Sequence, residues 1–442
     1  MTRTLVKAIR LHHATALVVG TIIGASIFVQ PSEITGRVPS LGGTALVWIC
    51  AGLLTYLGAL VCAELASALP RTGGVYVFLR EAFSPAVGFL WGWAMFWTMH
   101  SGIIAAIAVI FARYLGYFLP LGDVGLRVAA VAAIAVLSAV NYLGVRRGSD
   151  LQAIFTAGKI LAVAVILVLG FALGGDAAAA AAAAPSPAVG GASAKDFLLA
   201  LVAGLFAFGG WHMVTYNADE TVDAERTIPR ALTLGVWIVT ACYVGLNAVY
   251  FHVLPLETVM GSERVAADAA DAVLGFGGGA AMSGLVAFST FGALSGIVLA
   301  GPRVYWAMAE DGLVFRWLGE VHATYRTPHR AIALQGLWAS VLVLTGTYRA
   351  LFTRVVYTEW IFFGLLGIAV LVLRRRPGYA PVYRVWGGPV LPLIFALAAF
   401  AVVVNQVVAE PIESLVGLSM VAVGLPVYLI WCRRTNPTEE TP

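Results

Sequence analysis

The sequence predicts an all-α polytopic membrane protein of about 12 transmembrane helices, with the first and the sixth of them broken. The 442 residues are 60% hydrophobic and only 11% charged, with a mean hydropathy of +0.89. Soluble domains carry about 25% charged residues. Apolar stretches of roughly the 20 residues that a membrane helix needs recur along the whole chain. Two of these stretches carry glycine clusters near their centres.

The first interruption lies at residues 20–28, inside an apolar run from about residue 14 to residue 29. Glycine in a helix interior costs roughly 1 kcal/mol relative to alanine. A helix that opens here exposes peptide groups, which lipid tolerates only toward protein or a water-filled cavity. Taken alone, the cluster is equally compatible with small residues that let two helices pack closely.

The second interruption lies at residues 205–211, in the sixth apolar stretch. Interrupted stretches at corresponding positions of two halves are the best sequence indication of a transporter binding site. Close packing does not explain why the two clusters begin two five-span sets of opposite topology. The pair therefore favours two broken helices over close packing.

Loop charges predict the orientation in the membrane. Roughly 19 basic residues fall in one set of loops and 7 in the other, so both termini are expected in the cytoplasm. The predicted spans centre near Ile23, Leu54, Ile104, Ala135, Val163, Leu205, Tyr243, Phe291, Val341, Leu366, Ala398 and Val423.

A single transmembrane transporter domain is expected over residues 1–432, followed by a short cytoplasmic tail at 433–442. Repeat one is expected at about 11–173, repeat two at about 196–375, and two extra helices at about 389–432. The alanine-rich segment 174–196 is interpreted as a surface loop because it is too short to be a span.

Four segments carry motifs of a known family: GTIIGASIF at 20–28, ELASALPRTGGVY at 64–76, FAFGGW at 206–211, and residues 302–312 with the later Thr327-Pro328. Together they resemble the amino acid–polyamine–organocation superfamily, most closely its L-type amino acid transporter branch, over nearly the whole chain. The family's first break usually reads Gly-Ser-Gly, where this chain has Gly24-Ala25-Ser26. The resemblance implies a LeuT-like fold of two inverted five-helix repeats plus two C-terminal helices.

The two breaks suit a zwitterion. A half-helix N-terminus directs amides and a positive dipole at an anion, and opened carbonyls suit a cation. Amides near Ala25 and Ser26 are expected to bind a carboxylate, and nearby carbonyls an ammonium. By resemblance, Phe206 is also an aromatic gate. The predicted substrate-binding residues are Ile22, Gly24, Ala25, Ser26, Phe206, Ala207, Gly209 and Gly210.

Lys159 lies well inside the fifth span, where a charge is costly and usually marks function. By resemblance it occupies the place of a sodium ion in related sodium-coupled transporters. Its ammonium could then tie the first break to the fifth span. This interpretation predicts sodium-independent transport; the alternative is a lysine that reaches the membrane interface.

The substrate class is inferred from an absence. Apart from Glu64, which is expected to support structure, we find no carboxylate well inside the spans that could pair with a cationic side chain. Neutral substrates are therefore favoured. Ser289 and Ser295 are possible pocket-lining residues, and His100 and His212 are expected to be buried and hydrogen-bonded.

The sequence therefore predicts a secondary transporter of neutral L-amino acids that works by alternating access in the plasma membrane, independently of sodium, as an exchanger or a facilitator. The alternatives are a cationic amino acid or polyamine permease and a non-transporting amino acid sensor. We find no metal-binding, cofactor-binding, nucleophile-elbow or nucleic-acid-binding motif, so an enzyme is not expected. The loop at about 116–126 contains no cysteine, so no covalently linked glycoprotein partner is expected.

Overall fold

The computed structural model describes residues 7, 9–24, 26–143, 145–183, 192–275, 277–325, 327–346 and 348–435. These residues form α-helices, shorter 3₁₀ and π-helical segments, and the loops that connect them. The α-helices of the described residues are α1 (Leu11–Ile22), α2 (Gln30–Arg37), α3 (Leu41–Ala68), α4 (Val75–Ala82), α5 (Pro85–Ala94), α6 (His100–Leu115), α7 (Asp123–Tyr142), α8 (Val145–Leu173), α9 (Gly175–Ala183), α10 (Ala194–Ala207), α11 (Ala224–Val253), α12 (Leu256–Gly261), α13 (Val265–Leu274), α14 (Gly278–Glu310), α15 (His329–Thr345), α16 (Tyr348–Leu373), α17 (Val390–Ala409) and α18 (Pro411–Thr435).

The helices confirm the predicted all-α membrane architecture. Ten helical segments in the described part of the chain are long and apolar enough to cross a membrane. The two remaining predicted spans correspond to the short helix α1 and to α15, which has 17 residues. A π-helical turn at Met95–Met99 joins α5 to α6, so the long third span is one continuous segment, Pro85–Leu115.

The first span is broken at the predicted position. In a continuous helix the amide of Gly24 would donate to the carbonyl of Gly20. Instead it donates to the carbonyl of Ile22, at 2.6 Å, so α1 ends at Ile22. The chain continues through a 3₁₀ turn at Ser26–Phe28 and resumes as α2.

The sixth span is broken in a similar way. The helix α10 ends at Ala207, and the amide of Gly209 donates back to the carbonyl of Phe206, at 2.9 Å. Gly210 has a φ of +95°, a left-handed conformation that glycine adopts far more readily than other residues. A 3₁₀ helix follows at Trp211–Glu220.

Burial separates central from peripheral spans. In the apolar window of the sixth span 83% of the residues are buried, compared with 22% in α7 and 17% in the last span, Ser414–Trp431. The third span and α14 are also mostly buried, at 78% and 72%. The broken sixth helix is therefore at the centre of the bundle, and α7 and α18 are at its periphery.

Segment 174–196 differs from the sequence interpretation. It contains the helix α9, whereas a surface loop was expected. The reason is composition: alanine has the highest helix propensity, and α9 is mostly alanine. Residues 184–191 lie outside the described residues.

One end of the bundle, which we call the Ile9 face, is closed by polar contacts. Ile9 forms a parallel bridge with Thr221 after the sixth span. Asp219 accepts a hydrogen bond from the amide of Thr72, in the loop between α3 and α4. Glu220 pairs with Arg303 of α14, at 3.4 Å.

Glu64 at the end of α3 belongs to the same face and has the structural role expected of it. Its carboxylate is fully buried and accepts two hydrogen bonds from Arg374, at 2.7 and 2.6 Å. It also accepts a hydrogen bond from the backbone amide of Val385, at 2.7 Å. The hydrogen bond with Glu64 raises the pKa of Arg374. This ion pair therefore connects the end of α3 to the end of α16 and the loop that follows it.

Candidate functional site

The two breaks meet at an enclosed cavity. Residues from both breaks, α6, α14 and α16 line it, together with Met213 of the 3₁₀ helix. Its volume is about 20 Å³, which is room for about one water molecule. The site is therefore closed, and a larger ligand can enter only if the surrounding helices move. The lining residues are Thr21, Ile22, Gly24, Ser26, Ile103, Ile107, Phe206, Gly209, Gly210, Met213, Ile297, Val355, Val356 and Glu359.

Tyr243 of α11 connects the two breaks. Its hydroxyl lies 2.8 Å from the carbonyl of Ile22 and 2.9 Å from the carbonyl of Ala207. A phenol has one proton, so it donates to one of these carbonyls at a time. Thr21 adds a second link, because its Oγ1 lies 3.3 Å from the carbonyl of Gly210. Tyr243 could not be recognised as a site residue from the sequence, because a tyrosine in an apolar stretch gives no indication of where its hydroxyl lies.

Lys159 of α8 is bonded to the first break. Its side chain is 1% exposed, and its Nζ donates to the carbonyl of Gly20 at 2.8 Å. This is the carbonyl to which the amide of Gly24 would donate a hydrogen bond in a continuous helix. The ammonium therefore replaces the hydrogen bond that the break removes, and the lysine does not reach the membrane interface.

Most of the predicted binding residues lie around the cavity. Ile22, Gly24 and Ser26 of the first break and Phe206, Gly209 and Gly210 of the sixth span are among the lining residues given above. Ala207 is not, but its carbonyl is within reach of the Tyr243 hydroxyl. Ala25 lies outside the described residues.

The two predicted serines lie on α14, away from the lining. Ser289 and Ser295 are both buried, at 0% and 1% exposure, and neither lines the cavity. The backbone carbonyl of Ser295 lies 3.4 Å from the side-chain amide of Asn141. The neighbouring Thr290 bonds to its own helix, through the carbonyl of Val286 at 2.6 Å.

Glu359 contradicts the expectation that no carboxylate other than Glu64 lies well inside the spans. It is 5% exposed and lines the cavity from α16. The predicted tenth span was centred near Leu366, which left Glu359 toward an end. Because α16 begins as early as Tyr348, Glu359 instead lies near the middle of the helix. A glutamate within an apolar stretch was the signal that could have identified it.

The two buried histidines differ from each other. His100 is 2% exposed and its Nε2 lies 2.7 Å from the carbonyl of Ile297, as expected of a hydrogen-bonded core histidine. His212 is equally buried and packs against the rings of Trp91 and Phe363. Its Nδ1 has no hydrogen-bond partner within the described part of the chain, in contrast to the hydrogen-bonded histidine that was expected.

Comparison with known proteins identifies the family. The family model described as "Amino acid permease" matches residues 9–430. The chain is 32% identical to the serine/threonine exchanger SteT of Bacillus subtilis (strain 168), over 96% of each chain.

Two animal relatives are nearly as similar. The human b(0,+)-type amino acid transporter 1 is 30% identical, over 97% of this chain and 89% of that protein. The large neutral amino acids transporter small subunit 2 of Oryctolagus cuniculus is also 30% identical, over 96% of this chain and 80% of that protein. These relatives are transporters or exchangers and not enzymes. With its broken first and sixth helices and a match over almost its entire length, the chain belongs to the amino acid permease family of integral membrane transporters.

Proposed function

We propose that the protein is a sodium-independent secondary transporter that exchanges neutral L-amino acids by alternating access. The observation that supports this most directly is the meeting of two broken helices at one enclosed, mostly apolar cavity. Broken helices at a central cavity provide peptide groups for a zwitterion at the depth of the membrane interior. Names of relatives that refer to serine, threonine and large neutral amino acids agree with neutral substrates.

The proposed binding mode uses the backbone. The amide end of the first break, near Ser26, holds the α-carboxylate of the substrate, since helix N-termini favour anions. Carbonyls of Ile22, Phe206, Ala207 and Gly209 receive the α-ammonium. Carbonyl oxygens have two lone pairs, so Ile22 and Ala207 can accept from both Tyr243 and the substrate.

Sodium independence is supported by Lys159. The Lys159 side chain donates a hydrogen bond to the Gly20 carbonyl, which the break leaves without its helical partner. We propose that this ammonium does the work that a bound sodium ion does in sodium-coupled transporters. A positive charge fixed at this point would also repel a second cation.

Alternating access is supported by the closed state of the cavity. About 20 Å³ cannot hold an amino acid, so transport requires opening to each side in turn. On the Ile9 face, opening would separate the contacts of Glu64 with Arg374 and of Glu220 with Arg303. Phe206 lines the cavity and is the proposed gate toward the opposite side.

We further propose that the protein lies in the plasma membrane with both termini in the cytoplasm, so that the Ile9 face is the cytoplasmic face. We expect it to work without a covalently linked glycoprotein, because the loop at about 116–126 has no cysteine. Purified protein reconstituted alone would then be active, and non-reducing electrophoresis would show a single chain.

Reconstitution in proteoliposomes tests the function. Vesicles that contain the protein are loaded with unlabelled serine, leucine or no amino acid, and uptake of the labelled amino acid is followed in sodium or choline medium. We expect internal amino acid to stimulate uptake and the choice of cation to have no effect. Uptake no faster than in protein-free vesicles would refute transport and favour a sensor, and a requirement for sodium would refute the role of Lys159.

A cationic amino acid carrier is the second candidate, and one observation favours it. Glu359 places a carboxyl group in the lining of the cavity, where its ionised form would attract a cationic side chain. Competition of arginine, lysine, alanine and leucine for uptake separates the two candidates.

A further inference from the structure

Glu359 is a carboxyl group that faces the cavity and has no partner among the residues that the structure describes. It is 5% exposed, and it forms neither a hydrogen bond nor an ion pair with any residue that the structure describes. Glu64, the other acidic residue singled out within the spans, has Arg374 and the amide of Val385 as partners. Buried carboxyl groups in proteins normally have such partners. Glu359 therefore has unused capacity to bind a proton or a ligand group.

Among the residues that the structure describes, none supplies a cation to Glu359. Tyr216 of the 3₁₀ helix is close enough to Glu359 for the two groups to interact electrostatically. A phenol is neutral near pH 7. Lys159 is bonded to Gly20 at the first break. No ion pair connects Glu359 to a basic residue of the described chain, so among these residues it has no counter-ion, and the ammonium or guanidinium of a ligand can supply one.

The remaining lining has two parts of different chemistry. The breaks contribute peptide groups and small residues, which suit the α-carboxylate and α-ammonium. The other part consists of aliphatic side chains and Glu359, the only acidic or basic residue among the lining residues. An amino acid held by the breaks therefore presents its side chain to an apolar surface with one carboxyl group. The aliphatic lining residues are Ile103, Ile107, Met213, Ile297, Val355 and Val356.

A lone carboxyl group in such surroundings exists in two useful forms. Without a cation nearby it takes up a proton, because an isolated buried charge is far more costly than the neutral acid. The neutral form tolerates an aliphatic substrate side chain. A substrate ammonium or guanidinium stabilises the ionised form through a charge-assisted hydrogen bond, and the proton then leaves to water.

We propose that Glu359 is a specificity-determining residue that lets one cavity accept both neutral and cationic amino acids, protonated with the first class and ionised with the second. This inference rests on the proposed function, since it assumes that the breaks hold the α-carboxylate and α-ammonium. It extends the substrate class to side chains that end in an ammonium or a guanidinium. Binding of a cationic amino acid releases about one proton per molecule, whereas binding of a neutral one releases none.

Isothermal titration calorimetry of the purified protein tests the proposal. The ligands are L-lysine and L-2-aminoheptanoic acid, in which a methyl group replaces the side-chain ammonium. Titration in two buffers of different ionisation enthalpy gives the number of protons released. We expect wild type to bind both ligands, with about one proton released by lysine only. Glu359→Gln is expected to lower the affinity for lysine by at least about tenfold and to abolish proton release. Its affinity for aminoheptanoate should stay within about threefold of the wild-type value.

Two further variants serve as controls. Glu359→Asp keeps the carboxyl group and should retain lysine binding with proton release, even if Glu359→Gln does not fold. Thr358→Val changes the neighbouring residue, which is fully buried and does not line the cavity, and whose hydroxyl has no hydrogen-bond partner among the described residues. It should bind both ligands as wild type does.

The outcomes separate this inference from the proposed function. If the wild type binds aminoheptanoate but does not bind lysine, the inference is overturned and neutral amino acid transport still stands. Equal weakening of both ligands by Glu359→Gln also overturns it, as does lysine binding without proton release. Failure of wild type to bind these two ligands and also serine, alanine and leucine would refute the proposed function itself.

Discussion

Replacing Tyr243 with phenylalanine tests whether the two breaks act as one site. The substitution removes a single hydroxyl, which lies 2.8 Å from the Ile22 carbonyl and 2.9 Å from the Ala207 carbonyl. The ring is fully buried, so the volume of the core is almost unchanged. The only contact between the two broken helices that this change removes is the bridge through the hydroxyl.

The expected magnitude follows from the contacts that remain. A buried acceptor that loses its partner costs about 1–3 kcal/mol. The phenol donates its hydrogen bond to one carbonyl at a time. After the substitution the Ile22 carbonyl still accepts a hydrogen bond from the amide of Gly24. We therefore expect a loss of about 1–2 kcal/mol, which corresponds to a substrate affinity about five- to thirtyfold weaker. The loss falls on binding because the phenol holds in position the carbonyls that are proposed to receive the substrate ammonium.

Tyr250 provides a matched control on the same helix. It is also fully buried, but its hydroxyl has no hydrogen-bond partner among the described residues. Tyr250→Phe should therefore leave affinity unchanged and leave stability unchanged or slightly higher. The assay is calorimetric binding of the neutral amino acid that wild type binds most tightly, with thermal unfolding measured in parallel. Affinity of Tyr243→Phe within twofold of wild type, or an equal loss in Tyr250→Phe, would refute the bridge.

Three further predictions concern other contacts of the site and of the Ile9 face. Lys159→Met should lower uptake at least about tenfold in sodium and in choline alike, because a charge-assisted hydrogen bond of about 1.5–3 kcal/mol is lost; unchanged uptake would contradict the proposed role. Gly210→Ala should lower the midpoint of thermal unfolding more than Gly24→Ala, because its φ is +95° and its Cβ would lie 3.2 Å from a backbone oxygen of the first break, compared with 3.6 Å for the nearest atom at position 24. Equal midpoints would show that the left-handed turn is not required. Glu64→Gln should cost up to about 3 kcal/mol of stability, because the partner guanidinium is left partly buried. Adding Arg374→Gln should restore part of that loss, and a double variant no more stable than the single one would argue against the ion pair.

The sequence was sufficient for features that depend on composition along the chain. Membrane spans need long apolar stretches, so their positions follow from hydropathy alone. The breaks at Gly24 and Gly210 were also predictable, because glycine destabilises a helix interior, so a cluster of glycines in a membrane span indicates an interrupted helix. Lys159 was identified for a similar reason, since a charge inside a span is costly.

The tertiary structure decided which distant side chains meet. Lipid and the protein core are equally apolar, so hydrophobic residues on a membrane helix do not show which face points inward. The sequence therefore gave no indication that Tyr243 bridges the two breaks, or that Ser289 and Ser295 lie away from the cavity. The mid-helix position of Glu359 followed only from the true start of α16. Positions along the chain are fixed locally by the cost of polar groups in lipid, whereas contacts across the bundle depend on the rotation and length of helices that are far apart in sequence.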